Sequence, residues 1–259
     1  MSNIAAHRGL LGVSAVLFAA SAATTVVWCG SMSTMPGMQM PGGWTMSMTW
    51  MRMPGQTWPG AAATFLGMWC VMMVAMMLPV LVPMLSRYRE AVTSGDDRRS
   101  AWLTTIVGAG YFAVWASCGA AAYPVGLGLA EIAMRVPAVS RAVPVVSGLV
   151  VMIAGLLQFT AWKARQLTCC RTTHLCSKPA DAATAWRHGL RLGLACVRCC
   201  AGLTAVLLVI GVMDLRAMGV ITLATVAERL APACEYVAKG SGAIAVAAGL
   251  WTIARVVGP

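Results

Sequence analysis

Long apolar runs with almost no charge constrain this chain more than any other feature. A membrane-spanning helix needs about 20 apolar residues, and runs of that kind lie at 10–29, 61–85, 101–123, 144–162, 190–213 and 242–257. A weaker segment begins near Ala217 and meets the charged pair Glu228 and Arg229. Only 10% of the 259 residues are charged, whereas soluble domains carry about 25%. We therefore predict an all-α, polytopic transmembrane helix bundle of six to seven membrane helices, in one integral membrane domain covering residues 1–259.

The positive charges predict the orientation of the bundle. The formal net charge is +11, but no nucleic-acid-binding motif is present, so we expect no nucleic-acid partner. Lys and Arg instead cluster in two connections, around 87–99 and 163–191. Basic loops stay in the cytoplasm beside anionic lipid. We expect a multi-pass protein of the inner (plasma) membrane with a cytoplasmic N-terminus and a cytoplasmic Cys-rich loop at about 163–189.

The connection at about 30–59 is rich in methionine and should be extracytoplasmic. Thioether is a soft, neutral ligand that suits Cu(I) where thiols would be oxidised. The spacing lets a flexible loop fold several sulfurs around one ion, and the candidate ligands are Met32, Met35, Met38 and Met40. The alternative is an amphipathic cap on the membrane, with Met as an adaptable filler beside interfacial tryptophans.

Methionine continues into the second predicted helix. Met68, Met72 and Met76 recur every four residues and form one stripe, while Met73 and Met77 lie on a neighbouring one. We consider Met72, Met76 and Met77 as metal contacts. Ordinary packing by Met is the alternative for each of them.

Thiols concentrate on the predicted cytoplasmic side, where the compartment is reducing and disulfides are not expected. The candidate ligands are Cys169, Cys170, Cys176, Cys196, Cys199 and Cys200. On a helix, positions i, i+3 and i+4 share a face, so Cys196 can pair with Cys199 or Cys200 on one soft ion. Arg191 and Arg198 lie nearby in sequence, and positive charge favours the thiolate form. Buried Cys is otherwise a small apolar side chain.

Several of these motifs resemble, in the same order, a bacterial family of predicted metal-binding integral membrane proteins of unknown function. The resemblance covers about 66–250 and rests on the following residues: Trp69, Met72, Ala75, Met76, Met77, Pro79, Gly110, Tyr111, Trp115, Ala154, Gly155, Gln158, Lys163, Leu167, Cys170, Arg171, Gly193, Cys196, Cys199, Cys200, Gly211, Met213, Met218, Glu228 and Arg229. The family implies metal binding. A looser resemblance, through the adjacent pairs Cys169–Cys170 and Cys199–Cys200, is to mercuric-ion uptake membrane proteins.

The chain departs from the family pattern at three positions. Gln166 stands where the family usually has a cysteine, Thr173 where it has a proline, and Ala201 where it has a tryptophan. The cytoplasmic ligand set is therefore expected to be altered, with Cys169 or Cys176 as substitutes.

These observations favour a protein that binds a soft metal, copper(I) before any other, and acts in its uptake, trafficking or delivery. Beside the lipid bilayer and the metal ion, other membrane subunits or a metallochaperone are candidate partners. No nucleotide-binding loop, zinc-protease motif or nucleophile elbow is present in the sequence, which favours a binding protein over an enzyme. Two alternatives remain: a non-catalytic subunit or assembly factor of a membrane copper enzyme, and a membrane thiol oxidoreductase using the Cys196 cluster.

Overall fold

The computed structural model describes residues 2–33, 37–50, 55–92, 97–172 and 181–257, apart from the side chains of 2–7, 33, 48, 169–172 and 257. The fold is all-α, as predicted. Its helices are α1 (Ser2–Ser33), α2 (Trp58–Val92), α3 (Asp97–Arg135), α4 (Pro137–Leu157), α5 (Ala161–Thr172), α6 (Ala182–Ile210), α7 (Leu215–Leu230) and α8 (Cys234–Val257). Two short strands, β1 (Met38–Met40) and β2 (Trp44–Met46), pair as an antiparallel hairpin between α1 and α2.

Six of the described helices are long and apolar enough to cross a membrane, so the chain is a multi-pass membrane protein. The spans are Arg8–Met32, Trp58–Val92, Asp97–Arg135, Pro137–Leu157, Ala182–Ile210 and Cys234–Val256. Six lies within the predicted six to seven. The weak segment near Ala217 forms α7, which has 16 residues and falls short of a full-length span.

The two ends of the bundle differ in what they carry. At one end, the β-hairpin is fastened to the start of α4, because Trp44 Nε1 donates to the Ser140 carbonyl at 2.9 Å and Ser140 Oγ donates to the Pro41 carbonyl at 2.7 Å. We call this the hairpin end. At the other end, α2 finishes and α3 begins with Arg87, Arg89, Arg98 and Arg99. We call this the arginine end.

Helix α7 connects these two ends although it is short. Its start follows Met213, which contacts Cys29 at the end of α1 that leads into the hairpin. Its last turn carries Glu228, which pairs with Lys163 beyond the far end of α4. Sixteen residues span about 24 Å, most of the roughly 30 Å hydrocarbon core. Because α7 returns the chain to the arginine end, α8 can run antiparallel to α4 and finish at the hairpin end.

Glycine allows a close helix contact between α4 and α8. A Cβ atom on Gly155 would lie 2.7 Å from the Gly242 carbonyl oxygen, and one on Gly249 would lie 2.6 Å from the Gly148 carbonyl oxygen. Small residues let membrane helices approach in this way, since lipid offers no hydrophobic drive for their association. This contact fixes Gln158 of the α4 terminus and Ser241 of α8 near each other.

The predicted bounds of the fourth helix, 144–162, are wrong at both ends. Helix α4 begins earlier, at Pro137, because proline is readily accommodated at the first helical position. It stops at Leu157, and a turn over 158–160 separates it from α5. The break turns the chain so that Gln158 and Lys163 both point into the bundle, where each is buried.

Candidate metal centre

The three cysteines of α6 share one buried face, as their spacing predicts. Cys196, Cys199 and Cys200 are exposed by only 0%, 2% and 2%. Cys196 Sγ lies 4.0 Å from Cys200 Sγ, and the Cys199 side chain interacts with that of Cys200. Of the two partners expected for Cys196, the structure thus places Cys200 within sulfur contact.

A methionine of α2 joins this pair. Met77 Sδ lies 4.0 Å from Cys196 Sγ, although the two residues are 119 positions apart in the sequence. Met77 is 1% exposed. Helix α2 continues through Pro79 and Pro83, and its methionine stripes face the core. Two thiols and one thioether therefore meet inside the bundle, and we call Cys196, Cys200 and Met77 the sulfur triad.

Two hydrogen-bond donors point at Cys196 from other helices. Tyr111 Oη of α3 lies 2.9 Å from Cys196 Sγ, and Arg229 Nη1 of α7 lies 2.8 Å from it. Both donors are buried. A phenol and a guanidinium placed in this way stabilise negative charge on sulfur, as a metal-binding thiolate requires. Arg191 and Arg198, which the sequence suggested as the positive charges beside the thiols, are both exposed. That expectation was wrong, because the buried cation at Cys196 is Arg229 of α7.

A buried ion pair lies next to the triad. Lys163 Nζ is 2.7 Å from Glu228 Oε2 and also donates to the Cys199 carbonyl at 2.7 Å. Glu228 Oε1 accepts from Gln158 Nε2 at 3.0 Å and from Ser241 Oγ at 2.6 Å. The network joins the α4–α5 turn to α6, α7 and α8. Replacing one partner of the Lys163–Glu228 pair is expected to lower the free energy of unfolding by about 3–5 kcal/mol, because the other charge would stay buried without its partner.

The charges around the triad favour an anion. Among the described residues, the buried Lys, Arg, Asp and Glu side chains are Lys163, Glu228 and Arg229, which together carry one net positive charge. Burying an uncompensated charge is costly. A thiolate on Cys196, in contact with Arg229, would make this region neutral.

Five more methionines of α2 pack in the same core, namely Met84 and the four that precede Met77. Met68, Met72, Met73 and Met76 are exposed by 5%, 1%, 1% and 4%. They occupy the helix between Phe65, which packs on Trp50 at the hairpin end, and Met77 of the triad. They place thioethers along the route from the hairpin end to the triad.

The described methionines of the 30–59 loop differ in their surroundings. Met32 ends the first span, Met38 is 41% exposed on β1, and Met40 is 7% exposed. Met40 packs with Met46 against Ala130 and Ala133 of α3, which is the packing role weighed above. Met35 lies outside the described residues.

The cysteine side chains of the 163–189 segment are not among those that the structure describes. Cys176 lies outside the described residues, and the side chains of Cys169 and Cys170 in α5 are not described. Across the part of the chain that is described, no group of three or more His, Cys, Asp or Glu side chains is placed to hold a metal ion. The triad differs from such a group because its third sulfur comes from methionine.

Sequence reasoning overlooked the roles of three polar residues. Tyr111, Gln158 and Lys163 were part of the resemblance, but no contact to the cysteines was assigned to them. The available signal was their polarity at membrane depth, since such residues face the bundle interior and mark functional sites. Glu228 was noted in the sequence as part of a charged pair with Arg229, whereas in the structure it pairs with Lys163.

Fold and site together define a polytopic membrane protein with a buried cluster of sulfur-containing side chains. Residues 66–252 match the family model of the PpoB2 copper chaperones, and the chain belongs to this copper chaperone family. The match includes the whole triad, Tyr111, Lys163 and the Glu228–Arg229 pair, whereas α1 and the hairpin precede it. No curated protein and no solved structure is significantly similar to the chain.

Proposed function

We propose that the protein binds copper(I) at Cys196, Cys200 and Met77 and passes it on from there as a membrane copper chaperone. Three sulfurs arranged in a plane around one ion lie about 4.0 Å apart when the metal–sulfur bonds are about 2.3 Å. Cys196 Sγ is 4.0 Å from both Cys200 Sγ and Met77 Sδ. This agreement is the observation that carries the proposal.

The ligand set favours copper(I) over harder metals. Thiolate and thioether are soft ligands that select Cu(I), whereas Zn²⁺ takes Cys, His and carboxylate ligands. Two thiolates and one Cu(I) carry one net negative charge, and the buried charges of Lys163, Glu228 and Arg229 balance it. The loaded centre is therefore neutral inside the bundle.

The direction of transfer follows from the order of the ligands. Ions arriving at the hairpin end would first meet thioethers, including Met38, and then the buried methionines of α2. Thiolate holds Cu(I) more tightly than thioether, so the ion would come to rest on Cys196 and Cys200. The thiols of 169–176 would receive it at the arginine end, which we place in the cytoplasm of a cell with this protein in its inner membrane.

Metal stoichiometry tests the proposal. The full chain is purified anaerobically in detergent after growth with copper, and copper is measured by mass spectrometry in the wild type, Cys196→Ser and Cys200→Ser. We expect either substitution to remove about one equivalent of copper, because the ligands must be thiolates.

Cys70→Ser is the matched control, since Cys70 is a half-buried thiol on α2 that belongs to no proposed site. It should retain the wild-type copper content. Equal copper in all four proteins would contradict the proposed centre.

A further inference from the structure

A second sulfur pair lies at the hairpin end, outside the triad. Cys29 Sγ of α1 and Met213 Sδ of the α6–α7 connection are 3.7 Å apart, and 184 positions separate the two residues in the sequence. Along α6, the distance from Cys196 to Ile210 alone is about 21 Å. The Cys29–Met213 pair therefore lies well apart from the triad.

Cys29 is one of the few side chains that α1 buries in the bundle. Helix α1 is mostly exposed to lipid, with 6% of its span buried. Among the described side chains of α1, 8–32, the buried ones are Ser14, Ser21 and Cys29, which follow one another at intervals close to two helical turns. Cys29 is the last of them and is 4% exposed. The side chain that α1 buries at the hairpin end is thus a thiol.

The backbone conformation of the α6–α7 connection is fixed both before and after Met213. Gly211 has φ +136°, a conformation that other residues rarely adopt. Val212 is buried, and the Asp214 carboxylate caps α7 by accepting from the backbone N–H groups of Arg216 and Ala217 at 2.8 and 2.9 Å. Met213 therefore meets Cys29 from a fixed turn.

The spacing and the surroundings suit a soft cation. Two sulfurs bound to one tetrahedral ion lie about 3.8 Å apart when the metal–sulfur bonds are about 2.3 Å. Asp214 directly follows Met213 in the chain and is exposed, so the connection carries a carboxylate at the surface next to Met213. A carboxylate there raises the local concentration of cations.

We propose that Cys29 and Met213 form a second copper(I) site, which receives the ion at the hairpin end before it reaches the triad. This inference rests on the proposed copper function, and it adds a ligand from α1, which precedes the family match at residue 66. When the copper–sulfur bond forms, the Cys29 proton leaves to solvent. The thioethers of α2 lie between the two sites.

Competitive titration tests the second site. Full-length protein in detergent is titrated anaerobically with Cu(I) against a chromogenic Cu(I) chelator. We expect Cys29→Ser, Met213→Leu and Cys196→Ser each to bind about one tight equivalent fewer than the wild type, and the Cys29→Ser/Cys196→Ser double variant about two fewer.

Controls and outcomes separate the two proposals. Cys118→Ser and Met152→Leu, which change sulfurs outside both sites, should keep both equivalents. The apo variants should melt at the same temperature as their matched controls, so that Met213→Leu, which preserves volume, reports ligand loss alone. A copper content that is unchanged in Cys29→Ser but falls by about one equivalent in Cys196→Ser would overturn the second site alone. Copper unaffected by Cys196→Ser would overturn the proposed function instead.

Discussion

In the proposed copper site, the contact between Arg229 and Cys196 sets the charge and orientation of a thiolate ligand. The guanidinium Nη1 atom lies 2.8 Å from Sγ, and Tyr111 Oη lies 2.9 Å from the same atom. Groups that hydrogen-bond to a metal ligand fix its orientation and charge without touching the metal. Arg229 and Tyr111 are therefore positioning residues for a thiolate ligand.

Replacing Arg229 should weaken copper binding without removing a ligand. We expect Arg229→Met to lower the Cu(I) affinity by about 10–100-fold, the usual cost of losing an outer contact to a metal ligand. Arg229→Lys should recover part of this loss, since it keeps the charge but not the planar donor. The affinity is measured with a chelator of known strength.

Arg198→Met provides the matched control on α6 itself. Arg198 is exposed and only two positions from Cys196, so proximity in sequence alone would predict a similar loss. An equal loss in both variants would show that general positive charge, rather than the Arg229 contact, sets the affinity.

At the scale of elements, α7 brings Glu228 and Arg229 to the triad. Asp214 caps its first turn, and Met218, Ile221 and Thr225 form its buried face. The helix is too short for a full span, yet it leads from Met213 at the hairpin end to Lys163 beyond the far end of α4. The chain consequently crosses the bundle once more than its six long spans indicate.

The extra crossing predicts where the termini lie. Helix α1 begins at the arginine end and α8 finishes at the hairpin end, so the two termini should be on opposite sides of the membrane. Reporters fused to each terminus, one active only in the cytoplasm and one only outside it, measure this directly. Termini on the same side would contradict the path of α7.

The membrane helices could be predicted from the sequence, because a long apolar run marks each of them. Contacts between helices that are distant in the sequence could not be predicted. The spacing of Cys196 and Cys200 predicts one helical face, and the structure confirms it. The approach of Met77 across 119 positions depends on how α2 packs beside α6, which no local pattern encodes. For the same reason Arg229 was placed beside Glu228 and not beside Cys196. The α4 break at 158–160 was overlooked because Phe159 and Trp162 continue the apolar run.

At the scale of the whole molecule, the fold collects ligands and counter-charges from α2 to α8 at one depth. Helix α2 supplies Met77, α6 supplies the thiols and α7 supplies Arg229, while Lys163 and Glu228 join the helices around them. The motifs that are scattered over residues 66–252 of the family match thus meet at the triad. In the proposed function, this arrangement would shield the ion from water until another ligand displaces it.

X-ray absorption at the copper edge tests the sulfur triad most directly. A Cys29→Ser protein in which Cys169, Cys170 and Cys176 are also changed to Ser, loaded anaerobically with one equivalent of copper(I), carries it at the core centre. We predict copper(I) with three sulfur neighbours at about 2.3 Å, and a loss of one sulfur neighbour in the additional Met77→Leu variant. Nitrogen or oxygen neighbours, or a spectrum unchanged when Cys200 becomes Ser, would contradict the assignment of copper to Cys196, Cys200 and Met77.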